Sequence, residues 1–120
     1  MKSVIIDPSL LRKMVVSNVE TGIIFWAKRE RSNFHSDKDW KTWNTRFAGK
    51  QAFNTASMGY RIGHFQGRMI QAHKVIWALA NGVWPVYPEQ IDHINGDRSD
   101  NRLANLRLVT PSANRRNMRR

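Results

Sequence analysis

Residues 90–111 read Q-I-D-H-I-N-G-D-R-S-D-N-R-L-A-N-L-R-L-V-T-P. Residues 90–93 have the composition of a strand, residues 94–104 form a polar loop around Asn95-Gly96, and residues 105–109 suit a returning strand. Thr110-Pro111 is a strong helix start, with Thr as the cap and Pro at the first helical position. A strand, a loop, a strand and a helix folding back would gather four polar side chains. Asp92 and His93 end the first strand; Asn105 lies twelve positions after His93; Asn114 lies twenty-one positions after it, in the first turn of the helix.

That set suits phosphodiester hydrolysis, which needs a base to deprotonate water and a cation to stabilise charge at phosphorus and on the leaving oxygen. His93 is the natural base, because neutral imidazole predominates at neutral pH. Asp92 and Asn114 offer hard oxygen ligands, which favour magnesium or manganese over zinc. A helix N-terminus at Asn114 would add a partial positive charge beside a phosphate. Asp97, Asp100 and Asn95 do not make a calcium loop, because the Gly and terminal Glu of that motif are missing at matching positions.

Working toward the N-terminus, the spacing of Val75, Ile76, Leu79 and Ala80 predicts a helix over residues 74–81, stopped by Gly82. Trp84-Pro85 and Tyr87-Pro88 mark a stiff connection. Residues 60–65 and 68–72 alternate around Gln66-Gly67 and predict a hairpin. Residues 28–50 carry no clear period and are expected to be mostly loop. Residues 23–26 read as a short strand after a Thr21-Gly22 turn. Asp7-Pro8 opens a helix with Leu10, Leu11, Met14 and Val15 on its apolar face, expected to end near Ser17-Asn18. Trp77, Trp84, Trp40 and Trp43 are expected to pack rather than bind, and His64 and His35 to lie on the surface. His73 is expected to be structural, hydrogen bonding to the loop.

With 120 residues, the chain suits one compact domain or a small domain with an appended module. Twenty Lys and Arg face nine Asp and Glu, a net charge of +11. Residues 98–120 hold seven Arg and one acid, Asp100. Such clustering points to a polyanionic partner. Arg outnumbers Lys thirteen to seven, which suits fork-like phosphate contacts. The absence of Cys excludes disulfides and thiolate zinc sites, so no structural zinc is expected. No apolar run reaches membrane-spanning length, and Met1 to Asp7 is too short for a signal peptide; a cytoplasmic protein is expected.

Residues 72–117 read A-H-K-x-x-W-A-L-x-x-G-x-W-P, then I-D-H-I-N-G-D-x-x-D-N-R-x-x-N-L-R-x-V-T, then N-x-x-N. This resembles the HNH endonucleases of bacteriophages, including relatives of intron-encoded homing nucleases; N-T-R-F-A-G at residues 44–49 and Gly59-Tyr60 also resemble what precedes the motif there. The resemblance implies an α+β fold: a C-terminal ββα-metal finger over residues 73–120, after a β-hairpin-containing module over residues 1–72. It implies His93 as general base, one divalent metal on Asp92 and Asn114, and Asn105 fixing the loop and helping to orient His93. DNA would be gripped by Arg61 and Arg68 on the hairpin, by Arg98, Arg102 and Arg107, and by Arg115, Arg116 and Arg119 on the last helix. A non-catalytic DNA-binding protein retaining the fold is the alternative. The oligomeric state stays open.

Overall fold

A computed structural model describes residues 5–110. The described chain mixes helices with three small antiparallel sheets. It opens with α1 (Pro8–Met14), capped by Asp7, whose carboxylate accepts the Ser9 N–H at 2.9 Å. The sequence predicts this helix running to about residue 17. It stops instead at Met14, and Val15–Asn18 forms β1. Val15 and Val16 are β-branched and stiff, and β2 (Ile23–Trp26) offers them an antiparallel partner, with Val15 opposite Trp26. The turn between them closes at Gly22, whose N–H donates to Asn18 O at 2.8 Å. A third strand, β3 (Gln51–Ala52), completes the order β1-β2-β3.

Between β2 and β3 the expectation of loop fails, because residues 37–47 form a helix, α2 (Asp37–Phe47). Ser36 caps it by accepting the Asp39 N–H at 3.1 Å, and Asp37 and Asp39 favour its positive end. Its apolar positions are few but fall at helical spacing: Trp40, Trp43 and Phe47. Trp43 packs edge-on to Trp26 at 6.0 Å and lies 5.3 Å from Phe47. The Arg29 guanidinium sits 3.8 Å over the Trp43 ring, while Trp40 Nε1 donates to the Arg29 carbonyl. These tertiary contacts outweigh a weak amphipathic pattern.

The second sheet orders β4 (Thr55–Ser57), β5 (Tyr60–Phe65) and β6 (Arg68–Gln71) side by side. The β5–β6 hairpin turns at Gln66-Gly67, both with positive φ, as the sequence predicts. The extra strand β4 has no signature in the sequence, because residues 55–57 are too few to show a period. From β6 the chain enters α3 (Ala72–Asn81), which Gly82 ends in a left-handed conformation. Ala72, Val75, Ile76 and Ala78 are buried at the centre of one core, which runs from Leu11 and Ile24 to Ile91 and Leu106. Each large side chain buried there contributes about 1.5–3 kcal/mol. Trp84 is buried in this core and Trp77 packs against it.

The last sheet pairs β7 (Gln90–His93) with β8 (Leu106–Val109). The return strand starts one residue later than expected, since Leu103–Asn105 coils into a single 3-10 turn. The helix expected after Thr110-Pro111 lies outside the described residues.

Candidate active site

At the end of β7 the side chains of Asp92 and His93 go to different partners, as strand alternation requires. His93 turns inward and is 7% exposed. Its ring lies 4.8 Å from that of His73, edge-on, and 6.1 Å from that of Tyr60. The same ring makes its hydrogen bond through Nε2, 2.9 Å from the side-chain oxygen of Asn101. Three elements build this cluster: β7 carries His93, the first turn of α3 carries His73, and β5 begins with Tyr60. Burial, reinforced by His93 and Lys74, pushes the His73 pKa down to about 3. His73 is therefore neutral near neutral pH. Its buried Nδ1 has no hydrogen-bond partner, so this nitrogen makes no bond to the loop; its role is ring packing.

The loop from Ile94 to Ala104 is braced from within. Asn105 is 5% exposed, accepts the Asn95 N–H at 3.0 Å, and donates to the Asn95 side-chain oxygen and the Asp100 carbonyl, both at 2.9 Å. Its carbonyl also accepts the Ile94 N–H. It makes no direct bond to the His93 ring; that bond comes from Asn101. Asp97 accepts the backbone and hydroxyl of Ser99, which hold its carboxyl below the usual range. Asp100 is held lower still by Arg102, with help from Asn95. Both acids thus serve the loop's own geometry.

Asp92 stands opposite Arg107 in register. Arg107 donates through Nε and Nη2 to the same oxygen, Oδ2, at 2.9 and 2.8 Å. Oδ1 accepts no bond among the described residues, and the side chain is 31% exposed. A half-exposed carboxylate with a free oxygen fits a hard divalent cation. Asn114, the expected second ligand, lies outside the described residues. Among those described, no group of three or more His, Cys, Asp or Glu side chains is placed to hold a metal.

The arginines expected on DNA divide into two groups. Arg61 is half-buried and Arg68 exposed, both on the hairpin. Arg98, Arg102 and Arg107 already have partners: Arg98 lies 4.7 Å over the Tyr60 ring and donates to the Met58 carbonyl, Arg102 pairs with Asp100, and Arg107 pairs with Asp92. Arg115, Arg116 and Arg119 lie outside the described residues. Tyr60 and Asn101 escaped the sequence reading. Both sit within the quoted motif regions, but nothing in their spacing marks them as neighbours of His93.

Residues 71–116 match the family described as HNH endonuclease. The structure is similar to a solved structure described as "DNA binding and cleavage by the HNH homing endonuclease I-HmuI", at a TM-score of 0.59 and 19% sequence identity. That match covers 98% of this chain and 58% of the other, so this chain spans little more than half its length. At such identity the likeness establishes the fold. No curated protein matches the chain. No helix among the described residues is long and apolar enough to cross a membrane.

Proposed function

We propose that the chain is a divalent-metal-dependent endonuclease that hydrolyses DNA phosphodiester bonds, because residues 71–116 match the family described as HNH endonuclease. The observation that carries this reading is the adjacency of a carboxylate and an imidazole at the end of β7, beside a loop held rigid by Asn105. His93 is the general base that takes a proton from the attacking water. Asp92 and Asn114 would hold one Mg2+ or Mn2+. When bound, that cation stabilises negative charge at phosphorus and on the leaving oxygen. Residues 1–72 supply DNA contacts through Arg61 and Arg68, and residues 73–120 supply the chemistry, with Arg115, Arg116 and Arg119 on the backbone. We further read the protein as phage-encoded, acting in the cytoplasm of a host cell.

The test is cleavage of plasmid DNA by His93→Ala. The variant should fold, bind DNA with near-normal affinity, and cut at least about a hundredfold more slowly, the usual contribution of a positioned base. EDTA should stop the unmutated protein, and magnesium or manganese should restore it. Normal cutting by a folded His93→Ala would overturn the assignment of the base; cutting in EDTA would overturn the metal.

A further inference from the structure

We propose that Asn101 is a positioning residue for the reaction: it fixes the tautomer of His93, and the Thr21-Gly22 turn of the N-terminal sheet clamps the peptide that carries it. The first half follows from the chemistry of one contact. The partner of His93 Nε2 is an amide oxygen, 2.9 Å away. An amide oxygen only accepts, so Nε2 carries the hydrogen and Nδ1 keeps the lone pair. Neutral imidazole in the other tautomer would put two acceptors face to face. A base on water needs its lone pair on a defined nitrogen, and the Asn101 contact selects Nδ1. Asn101 is 4% exposed, so water competes little for the bond.

The second half follows from the backbone. Gly22 has φ +73, and a methyl group there would lie 2.2 Å from the Asn101 carbonyl carbon and 2.5 Å from the Arg102 nitrogen. Only a residue without Cβ allows the turn to approach so closely. One residue further on, the Leu103 N–H donates to the Val19 carbonyl at 2.8 Å. The β1–β2 turn therefore grips residues 101–103 by a steric wall on one side and a hydrogen bond on the other. The ring's orientation is set through Asn101 by a module distant in sequence, while Asn105 braces the same loop from within.

The inference rests on His93 being the base, as proposed above, and its first readout does not depend on activity. The full chain, labelled with 15N histidine, would be recorded by long-range 1H–15N correlation at about pH 8.5, well above the ordinary imidazole range. His93→Gln assigns the signal. The wild type should show His93 protonated at Nε2 and bare at Nδ1. Asn101→Leu, close in size but without an acceptor, should give averaged nitrogen shifts and single-turnover cleavage about 10–100-fold slower, with unchanged DNA affinity. Asn101→Asp keeps the acceptor and should restore both the tautomer and the rate. Gly22→Ala should move the spectrum in the same direction as Asn101→Leu, and it keeps the idea testable if that variant does not fold. A wild-type ring protonated at Nδ1, an Asn101→Leu ring unchanged in tautomer, or full activity with a changed tautomer would each overturn the proposal. An unchanged Gly22→Ala spectrum would overturn the clamp. If the wild type never cuts DNA yet the tautomer responds as expected, the endonuclease reading falls and the hold of Asn101 on the ring is supported by itself.

Discussion

Arg107 donates two hydrogen bonds to a single oxygen of Asp92, directly across the β7–β8 pair. The arginine that composition assigns to DNA therefore neutralises the carboxylate proposed to hold the metal. A metal ion held by Asp92 would have to share that side chain with Arg107.

Removing one should favour the other. Arg107→Gln should lower the magnesium concentration for half-maximal cleavage by up to about fivefold, the scale of a half-exposed ion pair worth up to about 1 kcal/mol. Asn114→Ala should raise it. Titrating the cleavage rate against magnesium checks both, and a higher requirement in Arg107→Gln would show that the pair orients Asp92 more than it competes.

Asn105→Ala should destabilise the fold by about 2–3 kcal/mol. The side chain is buried and satisfies the Asn95 N–H and the Asp100 carbonyl, and an unpaired buried polar group costs about 1–3 kcal/mol. Urea unfolding of the two proteins measures the difference. A loss below about 0.5 kcal/mol would mean that the loop repairs itself with water.

Burial lowers the His73 pKa from 6.5 to about 3. Its stabilising contribution is therefore present above pH 6.5 and is lost as pH falls toward 3, because the unfolded chain accepts a proton that the packed ring refuses. The slope from this group approaches about 1.4 kcal/mol per pH unit. Unfolding free energies across that window should fall less steeply for His73→Gln than for the wild type, and the two should run parallel above it. Identical slopes would mean that His73 is protonated in the fold.

Salt dependence should separate arginines with internal partners from those without. Each phosphate contact contributes about −0.9 to the slope of log affinity against log salt on duplex DNA. Arg68→Ala should flatten the slope by about that amount. Arg102→Ala should leave it nearly unchanged, because Arg102 is engaged by Asp100. Fluorescence anisotropy at several salt concentrations checks both, and the reverse order would place the DNA on the loop instead of the hairpin.

The parts of the fold that were legible in the sequence are those written in local chemistry. Gly82, Gln66-Gly67 and Asp7-Pro8 each force a turn or a cap within a few residues; the hairpin and the end of α3 appear where expected, and α1 starts where expected but stops early at Met14. The helix over residues 37–47 was hidden because its apolar face is three aromatics among lysines, and its partner Trp26 lies on another element. Val15 looked like a fourth apolar helix position; only β2 makes it a strand residue. Asp92 and His93 stood out by type and spacing. Asn101 did not, since its contact with the His93 ring is made only by the folded loop.

The segment that matches the HNH endonuclease family is therefore a poor cassette. Grafted onto a foreign scaffold, residues 71–116 would keep their motif but lose the β1–β2 turn that bears on residues 101–103. Exchange between such proteins should succeed only where the donor turn travels with the motif, and a chimaera's seam belongs before β1 instead of at the hairpin.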